Sequence, residues 1–151
     1  MTTETSPLLT RPYVVATARA WLGTPYHHQA SAIGIGADCV GLVRGVWRTL
    51  YGHEAETPPA YTRDWAEATG IETLIGTARR HFREIDIAAV KPGDVLLFRF
   101  RPHLVAKHAA ILATDATIIH ALDGAAVAEV PLGLWWRRRI ATAFAFPGII
   151  D

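Results

Sequence analysis

Apolar residues near the start of the chain recur three and four positions apart: Val14, Val15, Ala18, Trp21 and Leu22. That spacing predicts an amphipathic helix from a Thr10 cap to Leu22, with Pro12 in its first turn and Gly23 as its stop. A second stripe, Leu42, Val43, Val46, Trp47 and Leu50, predicts a helix over 39–51, capped by Asp38 and closed by Gly52. Thr69 and Glu72 stand three apart, as in a capping box, and predict a third helix ending near Arg80. Residues 23–37 and 53–64, the latter with Pro58-Pro59, read as loops. Beyond the third helix the period changes to alternation. Segments 83–87, 95–100, 108–113, 117–122, 125–130 and 140–146 read as strands, and Lys91-Pro92-Gly93-Asp94 as a turn. Helices first and strands afterwards imply an α+β fold, with N-terminal helices packed on a mostly antiparallel sheet. No repeat or long linker interrupts it, so one domain is expected over residues 11–151, behind a flexible polar N-terminus at 1–10.

Composition narrows the function by exclusion. A chain of 151 residues buries about 70% of its unfolded surface and needs neither disulfide nor structural metal. The formal net charge is +1, which gives no electrostatic case for direct nucleic-acid binding or for an anionic membrane. No stretch reaches the roughly 18 apolar residues of a membrane span, so no membrane insertion is expected. Residues 1–10 lack the basic and apolar regions of a secretory signal, and synthesis in the cytoplasm is the expectation.

The single cysteine and the seven histidines carry the candidate chemistry. Cys39 falls at the start of the second helix, just after its acidic cap. Free N–H groups there favour an anion, which predicts a lowered thiol pKa and an oxyanion hole beside it. The helix dipole is worth only about 0.3–1 kcal/mol, so a nucleophile also needs an imidazole partner. Gly41 is expected to leave the thiol open to substrate. The competing reading is a small buried packing residue.

His108 opens one predicted strand and His120 closes the next, with Ala113-Thr114-Asp115 as a short connection. Directly opposed residues on neighbouring strands share a face with Cβ atoms about 4.5–5.5 Å apart. One imidazole would act as base and the other would orient it; a one-residue slip would separate them. The rival for such a pair is a zinc site completed by His27, His28 or His53, but no tight ligand spacing accompanies it and no metal is assigned.

Four motifs in order give the chain a family likeness. They are Gly23-Thr24-Pro25-Tyr26, Asp38-Cys39-Val40-Gly41-Leu42-Val43, Pro92-Gly93-Asp94-Val95-Leu96-Leu97-Phe98, and the span from His108 to His120-Ala121. Together they resemble the NlpC-type cell-wall cysteine peptidases, which have a papain-like fold. The resemblance implies that Cys39 attacks a carbonyl carbon, that His108 is general base and then acid, and that His120 orients His108. It further implies Tyr26 near the thiolate and Asp38 at the free amine of a peptidoglycan stem peptide. No cofactor is implied. The bond cut would join γ-linked D-Glu to a diamino acid.

Two positions depart from the family pattern. Val40 replaces a serine that helps bind the substrate amine, and His27-His28-Gln29 replaces a glycine pair. The Asp-Cys-Val-Gly-Leu form looks like the subgroup carried by phage tails and gene transfer agents. There the enzyme would sit with tail-tip hub or baseplate proteins, reach the periplasm or wall of a target cell without a signal peptide, and open the wall for DNA entry. The aromatic-basic run from Trp135 to Arg139 is expected to pack through its tryptophans, with solvated arginines available to a hub protein. Rival functions are an inactive structural tail-tip subunit and a thiol amidase or acyltransferase on the same fold.

Overall fold

The structure is a computed structural model, and it describes residues 8–56 and 72–151. Pro58-Pro59 and Thr69 lie outside the described residues, as do residues 1–7. Three helices precede most of the strands: α1 (Arg11–Arg19), α2 (Cys39–Tyr51) and α3 (Thr73–His81), with a two-residue hairpin of β1 (Ser31–Ala32) and β2 (Gly36–Ala37) between the first two. There follow β3 (Arg83–Ile85), β4 (Val95–Phe98), β5 (His108–Thr114), β6 (Thr117–His120), β7 (Ala128–Pro131), the single turn α4 (Leu134–Arg137) and β8 (Ile140–Ala145). The main sheet has the order β3-β8-β4-β5-β6-β7, and every neighbouring pair in it is antiparallel. The α+β expectation therefore holds.

Alternation along the strands divides the buried side chains between two faces. Val95, Leu97, Ala109, Ile111, Ile119 and Phe144 meet Val14, Ala18, Leu42, Val46, Trp47 and Ile75 from the three helices. Leu96, Phe98, Ala110, Leu112, Ile118 and Ala143 form a second cluster with Leu132, against which Trp136 packs. The unbroken apolar run of β4 follows from this: both of its faces are covered, and all four residues are buried.

Local chemistry sets the helix ends. Thr10 caps α1 by accepting from the Tyr13 N–H at 3.2 Å, as expected. The helix stops at Arg19 rather than Leu22, because Trp21, Leu22 and Thr24 each donate to the carbonyl three residues back and tighten the chain into turns. Trp21 is thereby turned inward against α2. A Cβ on Gly45 would lie 1.9 Å from its ring, so glycine there is what allows the two helices to approach. Glu72 precedes α3 without capping it. Its carboxylate is taken instead by the Arg99 guanidinium and the Ala106 N–H. At the other end of the chain, the Ile150 N–H donates to the Leu9 carbonyl at 2.8 Å, which ties residues 9 and 150 together. No helix among the described residues is long and apolar enough to cross a membrane.

Candidate active site

Asp38 and Cys39 form a corner in which nearly every polar group is engaged. Asp38 is 3% exposed, and its carboxylate is engaged on both oxygens. It accepts from the Gly41 N–H through Oδ1 and from the Gln29 N–H through Oδ2, both at 2.7 Å. The first bond caps α2 as the sequence predicts. The second holds Gln29 at φ +63°, where non-glycine residues are uncommon. Ser31 fastens the same loop to the helix: its hydroxyl donates to the Gly41 carbonyl at 2.6 Å, and Arg48 donates to its Oγ and carbonyl at 2.9 and 2.7 Å. Gly41 thus has a different purpose from the one expected. A Cβ there would sit 1.8 Å from the Ala30 carbonyl oxygen, so the glycine makes room for the loop rather than for substrate.

The imidazoles come from the other face of the sheet. His108 pairs across from Phe98, on the face away from α1–α3. His108 Nε2 and His120 Nδ1 are 2.9 Å apart, and each residue is 4% exposed. The pairing predicted from sequence is real, but the two are diagonal neighbours, not directly opposed. Ile111 faces Ile119, which carries His120 to the level of Ala110, two residues from His108 and on the same side. Rings enclose the pair. The Trp136 centroid lies 5.4 Å from that of His108 and 5.1 Å from that of His120, and Phe100 lies 5.7 Å from His108.

The two parts meet at the start of β5. The Cys39 thiol donates weakly to the Lys107 carbonyl at 3.8 Å, and the Ala109 N–H points at the sulfur, so the thiol lies against the backbone on both sides of His108. His120 occupies Nε2 of His108, and Nδ1, the nitrogen nearer the backbone, takes no part in that bond. Tyr26, Asp38, Cys39 and His108 line one cleft of about 180 Å³, together with His28, Val40, Phe100, Lys107, Ala121, Leu122 and Asp123. Tyr26 is placed there by a bridge to Ala37, one residue before Asp38. His120 stands behind His108, outside the cleft lining.

Electrostatics reverse one expectation. Burial and the adjacent Asp38 carboxylate push the Cys39 thiol up to about 12, against the opposing pull of the Ala109, Val40 and Cys39 N–H groups. The helix terminus favours the anion, but desolvation and a neighbouring negative charge outweigh it. Burial, with His120 close by, lowers His108 to about 3; burial lowers His120 too. Thiol and imidazole therefore rest as a neutral pair at neutral pH.

Among the described residues no group of three or more His, Cys, Asp or Glu side chains is arranged to hold a metal ion. His28 lies in the cleft, whereas the exposed His53 bonds through Nδ1 to the Glu54 backbone oxygen. The sequence reading missed Phe100 and Trp136 around the imidazoles. The signal was present in the Trp135–Arg139 run, yet nothing in linear order connects that run to His108.

A helix that presents a cysteine at its N-terminus, packed on an antiparallel sheet that supplies a histidine, defines a papain-like α+β fold. Residues 23–143 match the NlpC/P60 family, and the chain belongs to that family. Among solved structures it is similar to the NlpC/p60 domain of the peptidoglycan hydrolase SagA, at 20% identity and a TM-score of 0.66, covering 90% of this chain and 98% of that one. An NlpC/P60 family protein from Bacillus cereus gives the same identity and TM-score, covering 91% of this chain and 40% of that one. NlpC1 from Trichomonas vaginalis is 16% identical with a TM-score of 0.63, covering 90% and 43%. No curated protein matches the chain.

Proposed function

We propose that this chain is a cysteine peptidase that hydrolyses peptidoglycan stem peptides. The observation that carries the reading is the chain's one thiol sharing a cleft with an imidazole that a second imidazole holds at 2.9 Å. Family membership and the likeness to SagA, a peptidoglycan hydrolase by name, supply the substrate class.

In this mechanism substrate displaces water from the cleft, and the Cys39 proton passes to His108 Nδ1 as sulfur attacks the scissile carbonyl carbon. His120, bonded to Nε2, keeps the ring in position and stabilises the imidazolium that forms. N–H groups at the start of α2 receive the oxyanion. The imidazolium then protonates the departing amine, leaving a thioester on Cys39. Water, deprotonated by the same ring, cleaves the thioester and returns thiol and acid. Tyr26 borders the thiol, and Asp38 serves both as cap and as a negative wall for the substrate amine. The bond cut is that between γ-D-Glu and the diamino acid, with Val40 removing one polar contact to that amine.

Delivery completes the proposal. The Asp-Cys-Val-Gly-Leu motif supports a place at the tail tip of a phage or gene-transfer-agent particle, in contact with hub or baseplate proteins and acting on the target cell's wall. A second reading, an inactive structural subunit of such a tail, draws on the thiol pKa of about 12.

Digestion of purified peptidoglycan followed by mass spectrometry separates the two. Fragments ending at γ-D-Glu with the intact protein, and none with Cys39→Ala, are expected. An undigested wall, or digestion that survives Cys39→Ala, overturns the peptidase reading.

A further inference from the structure

Phe100 lines the Cys39 cleft and also a second groove of about 510 Å³, whose walls include Arg99, Arg101, Trp135, Arg138 and Arg139. The four guanidiniums there differ in how their charge is met. Arg99 pairs with Glu72 and donates to the Leu104 carbonyl at 3.0 Å. Arg139 donates to the carbonyls of Phe100 and Trp135 at 3.2 and 2.8 Å, and its Cζ lies 3.7 Å from the Trp135 ring centroid. These contacts fix its position and leave its charge without a carboxylate. Arg101 and Arg138 are exposed, and among the described residues their side chains have no hydrogen-bond or ion-pair partner.

Among the described residues most guanidiniums elsewhere are matched: Arg11, Arg19, Arg44, Arg48, Arg79 and Arg80 all face a carboxylate. The chain as a whole carries only +1. A local excess of three positive charges in one groove therefore comes from placement, not from composition. A guanidinium offers parallel N–H donors that fit a carboxylate. Arg139 is held in place with its Nη2 uncommitted to those carbonyls, and two exposed arginines flank it.

We propose that this groove is a carboxylate-binding subsite, taking the acidic arm of a peptide whose scissile bond lies at Cys39. Phe100 is the wall over which the arm passes from cleft to groove. The proposal rests on the peptidase reading for its ligand, while its test is one of binding.

The test is calorimetric titration of the Cys39→Ala protein with a synthetic stem tetrapeptide, and with the same peptide carrying amides in place of its carboxylates. The acid is expected to bind about tenfold more tightly, and the preference to fall below about threefold in a protein that also carries R101Q and R138Q. Both arginines are exposed and unpartnered, so their loss leaves the fold intact, which circular dichroism checks. No preference for the acid, a preference that survives the arginine substitutions, or no binding of either peptide at millimolar concentration overturns the proposal. Arginine-dependent binding to the Cys39→Ala protein, together with no cleavage by the intact enzyme, would instead keep the subsite and remove the peptidase.

Discussion

Cys39 is held by a polar frame, and His108 and His120 by an aromatic one. Around the thiol, the Asp38 carboxylate, Ser31, Arg48 and the Gln29 and Gly41 amides form a hydrogen-bonded corner on the helix side of the sheet. On the opposite face the two imidazoles share one hydrogen bond and are otherwise surrounded by Phe98, Phe100 and Trp136. Hydrogen bonds are directional, so the first frame sets where the sulfur points. Ring packing is short-ranged and dry, so the second sets which charge state survives. One frame positions a thiol and the other keeps an imidazole neutral.

Each frame can be broken separately. The largest effect is expected at the base: His108→Gln should lower turnover of a stem peptide by about 10²–10⁴-fold. Steady-state kinetics with a circular-dichroism control checks it, and turnover near that of the intact protein would remove His108 from the reaction.

The dry frame predicts acid sensitivity. His108 titrates near 3 in the fold and near 6.5 when unfolded, so between those values the unfolded chain binds the extra proton. Stability from this source is complete above about pH 6.5 and falls as the pH drops towards 3, by on the order of 3 kcal/mol at pH 4. Urea unfolding at pH 7 and pH 4 measures the loss, which should be much smaller in His108→Gln.

The polar frame predicts a cost of about 2–3 kcal/mol for Asp38→Ala, which removes the helix cap and orphans the buried Gly41 N–H as well as the Gln29 N–H. A fall of less than 1 kcal/mol in unfolding free energy would show that the corner is redundant. The smallest effect concerns the thiol itself. Iodoacetamide should label native Cys39 at pH 7.5 about tenfold more slowly than an exposed cysteine, and Asp38→Asn should speed it. Fast labelling with a plateau below pH 7 would mean a resting thiolate and would overturn the neutral pair.

The polar frame was the more legible in the sequence. A cap, a thiol and a stripe starting at Leu42 are local, and a helix terminus is a matter of consecutive residues. Asp38, Cys39 and Gly52 stand where the pattern puts them. What failed there was electrostatic sign, because burial is not a property of neighbours in sequence. Gly41 failed likewise: the Ala30 carbonyl that demands glycine arrives from the preceding loop, eleven residues away.

The aromatic frame was legible only in part. Strand order in sequence brought His108 and His120 near each other, but their sharing of a face depends on a bulge. Leu112 faces Ile118, while Thr114 faces Thr117. Extending the Thr114–Thr117 register without the extra residue would set His120 across from Ile111, on the face opposite His108. Trp136 and Phe100 close over the pair from segments on either side of it in the chain. The sequence by itself determined the α+β layout, the capped helix with its thiol, and the two strands that carry His108 and His120, because period and capping are short-range. Tertiary structure decided the shared face of the imidazoles, the neutral resting state of thiol and imidazole, and the arginine groove beyond Phe100. Each of these depends on register, desolvation or contacts between distant segments, and no local pattern encodes them.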